Sequence, residues 1–181
     1  MLQSDRLILR QWTEEDFSPF AKICADKDVM HFFPKTLTEQ ESHDMARKVQ
    51  SLIDSRGWGF WAVEIPNEAK FIGCVGLNVP KESMPFAKNV EIGWRLAKDF
   101  WGNGYATEAA KEVLRYAFVE LNLNEVISFA PLGNKASQHI MMKIGMSDTG
   151  NNFNHPELDA SHPQSEHVLY KINKSQWLEH A

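Results

Sequence analysis

The chain has 181 residues, 43% of them hydrophobic, with six Trp and eleven Phe, which fits one domain with ample material for a packed core. Its formal net charge of −5 argues against a nucleic-acid groove as the main function and suits a basic partner such as an amine. No apolar stretch is long enough to span a membrane, and Asp5, Arg6 and Arg10 break up the run a signal peptide would need. Cys24 and Cys74 provide no disulfide framework and read as reduced, buried thiols of a cytosolic protein.

The first alternation, from Arg6 to Arg10, predicts a strand. Thr13 to Asp16 reads as a capped helix start, with Phe17, Phe20, Ala21 and Ile23 turned inward before about Asp26. Thr38 to Glu41 is a second capping box, followed at helical spacing by Met45, Val49, Leu52 and Ile53 and stopped at Arg56-Gly57. Trp58 to Ile65 and Phe71 to Val79 predict two strands joined by a turn at Pro66 to Glu68. The second is apolar enough to be buried on both faces. Lys81 to Lys88 is a proline-bearing loop. Later come a strand from Glu125 to Ala130, a helix capped by Asn134 and stopped by Gly145, and a polar loop from Asn151 to Gln164. A last strand, His167 to Ile172, and a terminal helical turn complete the order. A mixed sheet flanked by helices follows.

Residues 90 to 110 carry the strongest chemical signal. Val90, Ile92, Trp94 and Leu96 face one way along a strand, and Glu91, Gly93 and Arg95 the other. A loop with Gly102 and Gly104 follows, where the backbone can turn sharply and approach a ligand. A helix then opens with its free N–H groups directed into that loop, a setting that attracts phosphate. Its apolar stripe runs through Ala106, Ala109, Ala110, Val113, Leu114, Ala117, Phe118 and Leu121. A Walker A loop would need Lys-Ser or Lys-Thr after its last glycine, and a dinucleotide fingerprint a third Gly or Ala where Thr107 stands. The site is therefore an anion site of another kind, with a carboxylate, Glu91, on the strand leading to it.

With Arg6 to Arg10, Glu91 through Glu108, and Asn134 through Met146, the chain resembles the GNAT superfamily of N-acetyltransferases over nearly its whole length. Within that superfamily it looks like the RimJ/RimL-like branch, named for enzymes that acetylate ribosomal protein N-termini. The resemblance implies one α/β acetyltransferase domain over residues 1–181. It would hold a mixed, mostly antiparallel sheet of about seven strands, flanked by helices, with pantetheine in a gap where the strand at Val90 splays from that at Glu125. It implies acetyl-CoA as donor and a primary amine as acceptor, in a cytoplasmic monomer or homodimer without a metal, a membrane or a nucleic acid. The family's pyrophosphate motif, Arg/Gln-x-x-Gly-x-Gly/Ala, maps onto Trp101, Gly102, Asn103, Gly104, Tyr105 and Ala106, with Trp101 in place of Arg or Gln. The same resemblance extends CoA contacts to Trp94, Leu96 and Thr107, and to Asn134 and Ser137 on the later helix. Many relatives carry a Tyr there as general acid to the leaving thiolate. The matching residue here is Met141, which has no proton to donate, and the RimJ/RimL-like substitute is Ser137, one turn after Asn134.

Acetyl transfer needs a neutral amine and an acid, or solvent, for the thiolate. Glu91 is the candidate base, provided burial raises its pKa; its other readings are an anchor for the acceptor's charge and a solvated strand residue. Ser137 is the candidate acid, or else a helix-surface or CoA contact, and Asn134 is also a helix cap. Trp58, Phe60 and Trp61 line an acceptor pocket or belong to the core. His155, His162 and His167, with Glu157 and Asp159, lack the spacing of known metal ligands, and their loop reads as a cover for the acceptor site. Neither cysteine lies in a motif with a His partner, so transfer is direct, in a ternary complex. The acceptor implied by the resemblance is a protein or peptide N-terminal α-amine. A small-molecule amine or antibiotic is the alternative, and a non-catalytic acyl-CoA-binding regulatory module the rival of another class. Acceptor specificity is expected from loops at His31 to Leu37, Lys81 to Lys88 and Asn151 to Ser165.

Overall fold

The helices of the computed structural model, which describes residues 1–180, begin and end on the chain's own signals. A 3₁₀ turn over Glu14–Asp16 leads into α1 (Phe17–Ala25). Helix α2 (Glu39–Arg56) opens on the Thr38–Glu41 capping box and closes at Gly57, whose φ of +82° is the left-handed stop that glycine accepts without strain. Helices α3 (Tyr105–Val119), α4 (Lys135–Lys143) and α5 (Lys174–His180) complete the set. Asn134 caps α4 by accepting the Ser137 N–H at 3.1 Å.

Contacts divide the described chain into two compact units, Met1–Leu77 with Gly93–Val113, and Asn78–Ile92 with Leu114 onward. In the first unit β1 (Leu2–Gln3), β2 (Ile8–Arg10), β3 (Phe60–Ile65) and β4 (Ala69–Asn78) pair in that order, all antiparallel. Helices α1 and α2 pack on each other there. Trp12 is 2% exposed; it meets Phe20 and Phe71 at ring distances of 5.0 and 5.2 Å and donates its indole N–H to the Phe60 carbonyl at 2.7 Å. The run Ile72 to Leu77 is buried throughout, as its unbroken apolar character predicts.

Strand β5 (Glu91–Leu96) belongs to both units, its first two residues to the second and the rest to the first. In the second unit it pairs in parallel with β6 (Glu125–Pro131) at one register pair, Glu91 with Ile127. β6 then runs antiparallel to β9 (Glu166–Asn173), which also carries β7 (Ser147–Asp148) and β8 (Phe153–Asn154). Pairing is thus mixed and mostly antiparallel, with helices against the strands, as the sequence implies.

Several boundaries differ from those read in the sequence. Nine strands are present among the described residues rather than about seven, because β1, β7 and β8 have two residues each and cannot carry an alternation. β8 also lies within the stretch expected to be loop. The first long strand starts at Ile8, and the third at Phe60 rather than Trp58. On α2 the buried residues are Ser42, Ala46 and Ile53, while Met45 is 36% exposed, so the helix is rotated from the expected stripe.

One glycine sets the course of β5. Gly73 has φ +136°, and a Cβ there would lie 2.2 Å from the Arg95 carbonyl oxygen and 2.7 Å from Leu96 Cα. Both neighbours are backbone and have nowhere to go. Gly73→Ala is expected to destabilise the protein by about 2 kcal/mol or more in a urea titration, through steric overlap and left-handed strain together. A loss below about 0.5 kcal/mol, within the range of ordinary surface substitutions, would show slack between β4 and β5.

Candidate active site

The donor loop lies within the first unit. Past Leu96 the chain makes a 3₁₀ turn over Lys98–Phe100 and reaches Trp101. Trp101 is 48% exposed, yet its indole N–H is tied to the Leu96 carbonyl at 3.0 Å. Trp101 therefore staples the loop to the end of β5, and its one polar hydrogen is committed there. The same bond occupies the main-chain carbonyl of Leu96, one of the CoA contacts that the resemblance implies. Asn103 folds its amide onto the Trp101 carbonyl at 3.1 Å. Gly102 and Gly104 have φ of +77° and +81°. Gly102 has open space where a Cβ would stand.

The first bond of α3 runs from the Glu108 N–H to the Gly104 carbonyl at 3.0 Å, so the N–H groups of Tyr105, Ala106 and Thr107 precede the helix ladder. Exposed glycines and three first-turn donors at a helix head fit a diphosphate. Its main chain suits the CoA diphosphate that the resemblance implies there. Trp94, half-buried, sits two residues before Leu96 on the face that buries Ile92 and Leu96.

Glu91 lies in the second unit, at the start of β5. Asn78, the polar residue that ends the buried run of β4, donates its amide to one carboxylate oxygen at 3.0 Å. The other oxygen, Oε2, is buried with no hydrogen-bond partner. Burial pushes the Glu91 pKa above the ordinary carboxylate value, and the Asn78 bond only partly opposes this. The carboxylate borders a cavity of about 150 Å³, whose walls include Met84 and Phe129. Met84, Phe86 and Ile127 are buried as a cluster with Phe129 and Phe153 packed against it. At the exposed edge Lys81 forms an ion pair with Glu157, joining two of the three loops expected to set acceptor specificity.

His155 also lines the cavity. Its Nδ1 accepts the Glu157 N–H at 3.2 Å, which puts the proton of the neutral ring on Nε2, and burial holds its pKa below the ordinary value. The His167 ring lies 5.1 Å away, also held neutral by burial, with Nδ1 on the Ser165 carbonyl at 3.0 Å. Among the described residues no three His, Cys, Asp or Glu side chains gather as metal ligands would.

Not every candidate reaches this cavity. Asn134 and Ser137, at the head of α4, lie outside its lining. Met141 is 1% exposed and belongs to the core. Of the aromatic cluster, Trp61 is core at 3% exposure, Trp58 is covered by the Arg56 guanidinium at 3.9 Å, and Phe60 lies over Gly93. Sequence reasoning missed Asn78, Met84 and Phe129. Only Asn78 left a trace, as a polar residue closing an apolar run.

The chain belongs to the GNAT acetyltransferases: residues 6–147 match the family described as "Acetyltransferase (GNAT) domain". It is an acetyl-CoA-dependent N-acetyltransferase. Among its relatives, the FsC-acetyl coenzyme A-N(2)-transacetylase of Aspergillus fumigatus is 32% identical over 164 residues, covering 87% of this chain and 69% of that protein. A GNAT-family acetyltransferase from Bacillus anthracis has the same fold, with a TM-score of 0.81 at 23% identity over 96% of this chain and 98% of that one. RimL, a ribosomal alpha-N-protein acetyltransferase solved with coenzyme A, is a more distant likeness, with a TM-score of 0.74 at 15% identity over 94% of this chain and 95% of that one.

The indole staple has a measurable consequence. Trp101→Phe removes one neutral hydrogen bond and is expected to lower stability by about 1 kcal/mol or less. It should also speed amide hydrogen exchange at residues 101–106 in the absence of ligand. Unchanged exchange in that segment would show that the ring holds the loop by packing alone.

Proposed function

We propose that the chain acetylates a protein or peptide N-terminal α-amine by direct attack within a ternary complex, with Glu91 as general base, as one acetyltransferase domain of the RimJ/RimL-like branch. Acetyl-CoA supplies an activated acetyl thioester, and the residues of this chain bind, orient and move the proton. The observation that carries the reading is the Glu91 carboxylate, one oxygen held by Asn78 and the other buried without a partner beside a cavity. Such an oxygen is ready to accept a hydrogen bond from an incoming amine, directly or through a water. A raised pKa brings the base closer to the amine it must deprotonate. At pH 7 roughly one in ten α-amines is already neutral, against about one in 2,500 lysine amines, so a carboxylate base suits the α-amine better.

Ser137 is proposed as the acid for the departing thiolate. Its support is its position one turn into α4, where the branch carries its substitute for Tyr, and the exclusion of buried Met141 from that role. A second reading, a small-molecule amine or antibiotic as acceptor, is favoured by the modest volume of the cavity and by the Lys81–Glu157 pair at its edge, which leaves little room for a polypeptide.

Thiol release measured with N-terminal peptides and small amines separates the two, and CoA binding without turnover on any amine would sink both in favour of a binding module. Glu91→Gln is expected to lower kcat/KM about a hundredfold at neutral pH, with the deficit shrinking as the amine deprotonates unaided at high pH. A deficit independent of pH would assign Glu91 to binding the acceptor instead. Stability should move the opposite way. The folded state holds the Glu91 proton more tightly than the unfolded chain, so the wild type loses stability as pH rises from the ordinary Glu value through the raised one. Glu91→Gln, neutral throughout, should therefore melt higher than wild type at pH 7 and equally near pH 4.

A further inference from the structure

Trp101 stands where the resemblance implies an Arg or Gln, so no side-chain cation heads the loop, and its N–H is already bound. It also carries an unfavourable charge. Glu108 lies in the first turn of α3, where a carboxylate would repel an incoming diphosphate. Burial raises the pKa of Glu108, but the Ser4 hydroxyl, the Arg6 N–H and the Arg6 guanidinium together hold it below the ordinary value, so it is ionised.

The structure provides a counter-charge from the other end of the chain. The Arg6 guanidinium bonds Glu108 Oε2 at 2.7 Å, while the Arg6 N–H and the Ser4 hydroxyl bond Oε1 at 2.8 and 2.7 Å. Nη2 of the same guanidinium donates to the Asn103 carbonyl at 3.2 Å. The group lies 4.7 Å from the Tyr105 ring centroid and 3.6 Å from where a Cβ on Gly104 would stand. Its side chain remains 49% exposed. Arg6 therefore touches the backbone of the loop, the first aromatic ring of the helix and the first acidic group of the helix at once, all within the first unit.

We propose that Arg6 is a positioning residue of the CoA-diphosphate cradle: it cancels the Glu108 charge and ties down the loop backbone at Asn103, bringing from the N-terminal segment a positive charge that Trp101 cannot supply. This rests on the reading that the loop binds the CoA diphosphate. Neutralising Glu108 should be enough to replace the charge of Arg6, whereas a merely structural Arg6 could not be replaced in that way.

The test is calorimetric binding of CoA to the full chain, with thermal melts on each variant. Arg6→Met should weaken CoA binding about tenfold, as an uncompensated carboxylate at a helix head repels the ligand. Arg6→Met combined with Glu108→Gln should return to within about threefold of wild type, and Glu108→Gln alone should bind CoA more tightly than wild type, since removing a like charge favours the anion. If the double variant is as weak as Arg6→Met, or if Arg6→Met binds as wild type does, the proposal is overturned. Should Arg6→Met fail to fold, Glu108→Gln decides by itself, and weaker CoA binding by that variant overturns the proposal. A wild-type chain that does not bind CoA would instead sink the reading of the loop, which keeps the two failures apart.

Discussion

Two backbones can approach as β4 and β5 do only where no side chain intervenes, and the donor loop depends on that approach. Gly73 supplies it. Beside it, the Ala97 N–H reaches the Ile72 carbonyl at 2.9 Å, so β4 holds the chain just past the end of β5. From there Leu96 directs its carbonyl at the Trp101 indole, the loop turns through two left-handed glycines, and α3 starts with three N–H groups ahead of its ladder. The N–H groups at the head of α3 are thus presented by backbone placement, which does not depend on the motif's polar side chain.

Two glutamates show how environment gives one side chain opposite properties. Glu91 is buried with a single amide partner, and its pKa rises. Glu108 is also partly buried, but a hydroxyl, a backbone N–H and a guanidinium converge on it, and its pKa falls. The first is suited to taking up a proton. The second stays charged, with the Arg6 guanidinium beside it. Both follow from counting donors against lost hydration.

The cavity beside Glu91 reflects the same economy. Its apolar wall belongs to a cluster in which Phe86, Phe129 and Phe153 meet at ring distances from 5.0 to 5.8 Å. The raised pKa of Glu91 comes from its own burial. The loops at the edge are joined by a charge pair between exposed side chains, which contributes little to stability.

Much of the fold was legible because it rests on local rules. The capping boxes at Thr13 and Thr38, the stops at Gly57 and Gly145, the apolar run of β4 and the stripe of α3 each depend on neighbours a few residues away, and each stands where the pattern puts it. The loop from Trp101 to Thr107 and the carboxylate at Glu91 were legible for the same reason, as strand, glycine turn and helix start occur in one continuous stretch. By itself, then, the sequence determined the main elements, their order and the family. Tertiary structure decided how side chains distant in sequence combine: Asn78 with Glu91, Lys81 with Glu157, Arg6 with Glu108 and Asn103. It also decided that the Trp101 N–H is spent on Leu96 and that Met45 faces outward. Hydrogen-bond partners and charge neutralisation depend on distances of a few ångströms between such residues, and no periodicity along the chain records those distances.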